Sequence, residues 1–240
     1  MTGIIQARMG STRLPGKVLL PLAGRPVLGW VVRAARESGV LDDLVVATTD
    51  RAEDDAVVAE CERLGAASYR GPADDVLDRF LGALEARPAD AVMRFTADCP
   101  LLDPAVIRTV GTAFRALPNL DYLSGGLPHT LPRGLDAEVI AAQALRRAGR
   151  LATGQHRVHV TSYVYTHPAD FTVMGLTFPP HADHLRVTLD TAADLALLQA
   201  VTGKFGDTPI PYRELVDWLE LNPEVRALNA GVRQKALCEG

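Results

Sequence analysis

Cysteine is scarce in this chain: three occur in 240 residues, Cys61, Cys99 and Cys238. They are odd in number and far apart, which excludes a disulfide framework and a CxxC metal knuckle, and a reducing, cytoplasmic setting is expected. An excess of positive charge is also lacking. Twenty-five Lys and Arg stand against 29 Asp and Glu, a formal net charge of -4, so the broad basic surface that grips a nucleic-acid backbone is not available and no nucleic-acid partner is expected. No cationic stretch followed by an apolar run opens the chain, and no segment approaches the roughly 20 apolar residues that span a bilayer, so neither export nor membrane insertion is expected. Fixed-period repeats, low-complexity tracts and long linkers are missing too. What remains is ample core material, 48% hydrophobic residues. The expectation is one domain over residues 1–240, with a less regular part around 125–185.

The hydrophobic pattern alternates between short apolar runs and helical periodicity. Ile4 to Ala7, Leu44 to Thr48, Ala91 to Thr96 and Leu120 to Ser124 read as strands of the buried type. Between them, Pro26 to Ser38, Glu53 to Leu64, Asp74 to Ala86 and Pro104 to Arg115 read as helices. Gly39 stands where a helix ends, Asp74 or Asp75 opens the third helix, and Asp103 caps the fourth ahead of Pro104. This alternation predicts an α/β fold of Rossmann-like type, an open and mostly parallel sheet with helices on both faces. Further on, Gly134 to Ile140, Phe171 to Leu176 and Leu185 to Leu189 read as strands. Gln143 to Leu151, Val158 to Tyr165, Ala192 to Val201 and the segment from Pro211 to the C-terminus read as helices.

Open α/β sheets bind ligands beyond the carboxyl ends of their strands. At those places the chain carries a basic loop from Arg8 to Lys17, the Thr48 to Asp50 turn, Asp98 and Asp190. Glycines let backbone N–H groups converge on an anion, and Arg8, Arg13 and Lys17 would neutralise it. The loop is not a Walker A P-loop: five residues, rather than four, separate Gly10 from Gly16-Lys17, and Val18 replaces the magnesium-binding hydroxyl. A GxGxxG dinucleotide fingerprint is absent as well. A solvated turn with incidental charges would share the loop's composition, and a capping or turn aspartate would look like Asp98 or Asp190.

Taken together, IIQARMGSTRLPGKVLLPLAGRPVL, VVATTDRAEDD, GPADDVLDRF, RFTADCPLLDP, PRGLDAEV, RVHVT and LRVTLDTAADL resemble, in family order, the SpsF-like cytidylyltransferases. More distantly they resemble the 3-deoxy-manno-octulosonate and acylneuraminate cytidylyltransferases. The resemblance runs from about Ile4 to Leu198. It implies a nucleotide-diphospho-sugar transferase type of fold and transfer of CMP from CTP to an acidic acceptor, a sugar acid or a small phosphonate. It also implies a homodimer. On matching positions it assigns Arg8, Gly10, Ser11, Arg13, Lys17 and Asp98 to the nucleotide, with Arg8, Arg13 and Lys17 stabilising the reacting phosphates. Asp98 and Asp190 become the Mg²⁺ ligands, in keeping with a hard cation that takes one or two carboxylates and completes its shell with phosphates and water. Asp136, Glu138 and His159 become acceptor-binding residues.

Asp136 and Glu138 stand two apart on an expected strand and so on one face, while His156, His159 and Tyr163 would share one face of an expected helix. The chain departs from the family pattern at Val158, where REHVT has glutamate, at Ala97, where a glycine is usual before the aspartate, and at Ser124-Gly125-Gly126, where Ser-Asn is common. His181 and His184 lack a third soft ligand and read as a solvated loop. Trp30 and Trp218 read as core residues of amphipathic helices. Two alternatives remain open from sequence: a nucleotidyltransferase of this fold using another NTP on a sugar phosphate, and a nucleotide-binding regulator without turnover.

Overall fold

The computed structural model describes residues 1–233. Seven strands form one sheet: β1 (Thr2–Gln6), β2 (Asp43–Thr49), β3 (Ala67–Gly71), β4 (Ala91–Thr96), β5 (Tyr122–Ser124), β6 (Glu138–Ala141) and β7 (Val173–Gly175). Their spatial order is β3-β2-β1-β4-β6-β5-β7. All neighbouring pairs are parallel except those of β6, which runs antiparallel to both β4 and β5. The fold is therefore the expected Rossmann-like one, with a single reversed strand in the second half.

Successive side chains of a strand face opposite sides, so each central strand feeds two cores. Ile4, Val92 and Ile140 pack with Leu77, Phe80 and Leu84 of α3 (Val76–Ala86) and with α5 (Ala142–Leu151) on one face. Their neighbours Ile5, Met93 and Val139 pack on the other face with α1 (Val27–Glu37), α4 (Pro104–Ala116), α8 (Ala192–Phe205) and α9 (Tyr212–Leu221). A strand that is buried on both faces cannot alternate polar and apolar residues, which is why these runs read as continuous hydrophobic segments. Each fully buried Ile, Leu or Phe contributes about 1.5–3 kcal/mol of transfer free energy. Trp30 belongs to this second core, its Nε1 donating to the Leu22 carbonyl at 2.9 Å.

Caps fall where expected in the first half. Asp75 accepts from the Asp78 amide at 2.9 Å to open α3, and Asp103 accepts from the Ala105 amide at 2.7 Å to open α4. The other oxygen of Asp103 takes the Tyr212 amide at 2.8 Å and so ties the start of α9 to α4. Gly39, at φ 69°, closes α1. α2 covers Asp55–Arg63 after a short 3-10 turn over Ala52–Asp54.

The second half corrects several expectations. The strand expected over 134–140 is instead Glu138–Ala141, because Gly134 adopts φ 109° and is backed onto the Thr188 amide, where a Cβ would come within 2.7 Å. Residues 185–189 form no strand; an isolated bridge joins Arg133 to Arg186 instead. The helix expected from Val158 to Tyr165 is broken into α6 (Gln155–Val158) and α7 (Ser162–Thr166) by Val160, a fully buried residue at φ 53°. His156, His159 and Tyr163 consequently do not share a helix face. The last described helix is α10 (Pro223–Ala227). Cys238 and the end of the segment expected to be helical lie outside the described residues.

Candidate functional site

The strand order places the topological switch between β1 and β4, since the chain leaves β1 toward β2 on one side and returns to β4 on the other. A crevice opens there beyond the strands' carboxyl ends, as such switch points require. It encloses about 380 Å³. Arg8, Gly10, Ser11, Arg13 and Lys17 from the loop after β1, Asp98 after β4, Asp190 and His159 all line it. Asp136 and Glu138 do not.

The basic loop is a built structure rather than a slack turn. The Met9 carbonyl accepts from the Ser11 amide at 2.9 Å and from the Gly16 amide at 3.0 Å, which pinches the loop. Gly16 sits at φ 69°, a left-handed conformation that glycine adopts without a Cβ penalty. Asp54, fully buried after β2, accepts from the Met9 amide at 2.6 Å and from the Thr49 amide and hydroxyl. This aspartate escaped the sequence reading; a buried carboxylate that takes backbone donors from another loop has no local pattern.

Lys17 reaches across the crevice. Its Nζ lies 2.6 Å from Asp98 Oδ2 and 2.7 Å from Asp190 Oδ1. Burial acts to lower the Lys17 pKa, but the charges of Asp98 and Asp190 outweigh it and raise the group above its ordinary value. For Asp190, burial pushes upward and the Lys17 charge, with bonds from Lys17 and Arg186, pulls the pKa below the usual carboxylate range. Arg13 stands 3.2 Å from the second oxygen of Asp190. Asp98 and Asp190 are brought together although 92 residues separate them, because the Asp98 carbonyl accepts from the Leu189 amide at 2.8 Å and the Thr188 hydroxyl at 3.1 Å.

The donor set suits a hard divalent cation. Two carboxylates converge on a position that a cationic ammonium already occupies, and all their donor atoms are oxygens. Among the described residues no group of three or more His, Cys, Asp or Glu could cage a metal. The carboxylate pair would therefore hold an ion that completes its shell with substrate oxygens, the habit of Mg²⁺.

Asp136 and Glu138 keep the expected alternation, with Leu135, Ala137 and Val139 fully buried, but only Glu138 lies in a strand. Glu138 is consumed by protein partners: it pairs with Arg94, and its other oxygen accepts from the Tyr122 and Thr161 hydroxyls, the latter at 2.7 Å. Arg94 also donates to the Gln6 side chain at 3.0 Å, and Arg94 and Gln6, unlike Glu138, line the crevice. Asp136 lies outside the strand, with Oδ1 3.6 Å from His129 Nδ1, and burial raises its pKa against the pull of His129. Two further arginines were missed. Arg79 is 2% exposed, lines the crevice, and its Nε has no hydrogen-bond partner; burial and the nearby Arg8 charge lower its pKa. Arg186 bonds Asp190 and Asp194. Arg79 lies among the buried residues of α3 and Arg186 in the irregular run after Leu185, and local spacing marks neither position. His184 bonds Glu220 at 2.6 Å on the surface, away from the crevice.

A family model described as cytidylyltransferase matches residues 2–198. The chain belongs to the cytidylyltransferase family. Among its relatives, the Bacillus subtilis spore coat polysaccharide biosynthesis protein SpsF is 36% identical over 231 residues, which cover 92% of this chain and 94% of the relative. An uncharacterised Methanocaldococcus jannaschii protein is 37% identical over 240 residues, covering 99% of this chain and 97% of that protein. The solved structure of a cytidylyltransferase from Leptospira borgpetersenii superposes with a TM-score of 0.90 at 27% identity, covering 98% of both chains. The SpsF-like resemblance read from the motifs is thus matched along nearly the whole chain.

Proposed function

We propose that this cytidylyltransferase-family enzyme, acting as one catalytic unit, transfers CMP from CTP to an acidic acceptor, a sugar acid or a small phosphonate, and releases pyrophosphate. The observation that carries the proposal is the convergence of Lys17, Asp98 and Asp190 at the switch point beneath the basic loop. Backbone groups around Gly10 and Ser11 hold the triphosphate, and Arg8, Arg13 and Lys17 offset the charge that builds on departing pyrophosphate. Asp98 and Asp190 would hold Mg²⁺, and the ion when bound would supply Lewis-acid polarisation of the α-phosphate. Most of the acceleration comes from positioning and fixed charge.

His159 and Arg94, both on the crevice wall, are the groups placed to meet an acidic acceptor. Glu138 serves the acceptor through Arg94 and Thr161, which it holds, while Asp136 stands back from the wall. Val158 presents an apolar surface to the crevice where the family pattern has glutamate. An acceptor oxygen that is already anionic attacks the α-phosphorus unaided and displaces pyrophosphate. We infer a homodimer, which sedimentation checks, and a cytoplasmic location, which cell fractionation checks; among the described residues no helix is long and apolar enough to cross a membrane. The deciding experiment measures pyrophosphate release with each of the four NTPs across sugar acids, phosphonates and sugar phosphates. CTP with an acid acceptor should dominate; a preference for GTP or UTP on a sugar phosphate would overturn the assignment, and binding without turnover would mark a regulator.

A further inference from the structure

Asp190 is not held by the nucleotide loop alone. Its Oδ1 faces Lys17, whereas Oδ2 accepts from Arg186 Nη2 at 2.7 Å. Arg186 is fixed in turn by Asp194, through Nε to Oδ1 at 2.8 Å and Nη2 to Oδ2 at 3.2 Å. Asp194 is fully buried and fastens the backbone as well: Oδ2 accepts from the Asp190 and Thr191 amides, each at 3.0 Å, within the capping box that opens α8. One more partner comes from a distant part of the chain. Asn229, 5% exposed and just after α10, donates through Nδ2 to Asp194 Oδ1 at 2.9 Å and to the Arg186 carbonyl at 3.1 Å.

The matched family model ends at residue 198, so Asn229 brings a segment from beyond it against the support of a reaction-centre carboxylate. A local cap would need only Thr191. The added amide aligns the acceptor of the Arg186 fork and the main chain from which the arginine springs, and partners of this kind orient the groups that hold a metal.

We propose that Asn229 is a positioning residue: through Asp194 and Arg186 it turns Asp190 so that Oδ1 stays aimed into the crevice, and the C-terminal segment thereby sets divalent-ion affinity. The proposal rests on the reading of Asp190 as a metal ligand. Mn²⁺ is the probe, its binding to the full chain followed by water-proton relaxation with saturating CTP, alongside thermal unfolding. Asn229→Ala should weaken Mn²⁺ binding about tenfold and raise the Mn²⁺ concentration for half-maximal turnover by the same factor, with little change in KM for CTP at saturating metal. Arg186→Lys, which keeps the charge but loses the planar fork, should do the same. An Asn229→Ala protein that melts earlier yet binds Mn²⁺ like the parent would show a purely structural contact and overturn the proposal. If that variant does not fold, Arg186→Lys decides, and parental Mn²⁺ affinity there overturns it equally. Asp190→Ala separates the two failures: undiminished Mn²⁺ binding in that variant sinks the metal reading and the positioning role together, whereas loss there with none in Asn229→Ala sinks the positioning role alone.

Discussion

The two halves of the sheet reach the same crevice by different physics. From β1 to β4 the chain is regular: parallel strands, the central ones buried on both faces, alternate with helices, and the nucleotide loop sits on a strand end. From Gly134 to Asp190 the wall is irregular: a reversed strand, a glycine pressed against another backbone, a buried valine at positive φ and a run joined to Arg133 by a single isolated bridge. The first half holds its place by hydrophobic burial. The second is buried as well and adds polar clamps, Glu138 with Arg94, Tyr122 and Thr161, and Asp194 with Arg186 and Asn229. Regular scaffold suits the triphosphate, a ligand of fixed charge and shape, while irregular backbone can be shaped to an acceptor.

This contrast can be broken at its meeting point first. Asp98→Ala and Asp190→Ala, one on each half, should each lower kcat by at least about 10²–10³-fold with the circular dichroism spectrum unchanged; a near-parental rate in either would remove that carboxylate from the chemistry. Next comes the clamp. Glu138→Ala leaves Arg94 buried without its carboxylate and should cost about 3–5 kcal/mol in denaturant unfolding, whereas a loss below about 1 kcal/mol would mean that the second half is not clamped as described. Gly16→Ala tests the regular half and should cost about 1–2 kcal/mol through its left-handed φ, with a raised KM for CTP as the loop shifts. The smallest effect concerns pH. The pKa values of Asp190 and Asp194 are lowered in the folded protein by Lys17 and Arg186. Their stabilisation is therefore complete above the ordinary carboxylate range near pH 4 and lost as pH falls through the depressed folded values. Thermal midpoints should drop on acidification below that range, and less steeply in Asp190→Asn.

The same contrast explains what could be read from the sequence. Runs such as Leu44–Thr48 and Ala91–Thr96, with Asp103-Pro104 and Gly39 as punctuation, follow local rules that the fold obeys, and the cationic loop with Asp98 and Asp190 stands out as charge at strand ends. Gly134, Val160 and the 185–189 run defeated periodicity because their conformations are imposed by contacts far away in the chain. Arg94, Arg79, Asp54 and Asn229 escaped for a related reason: each is a polar residue whose partner lies 20 or more residues away or whose purpose is to face the crevice, and neither leaves a mark on local spacing.

The ammonium of Lys17 between its two carboxylates also bears on the order in which ligands would arrive. Counting formal charges, Lys17, Arg13 and Arg186 cancel Asp98, Asp190 and Asp194. A bare divalent ion approaching this neutral assembly meets no net attraction and an ammonium already in its place. A divalent ion carried by a polyphosphate would offer Lys17 and Arg13 new anions in the same encounter, so on the proposed reading cation and nucleotide would exchange for the internal ammonium as one event.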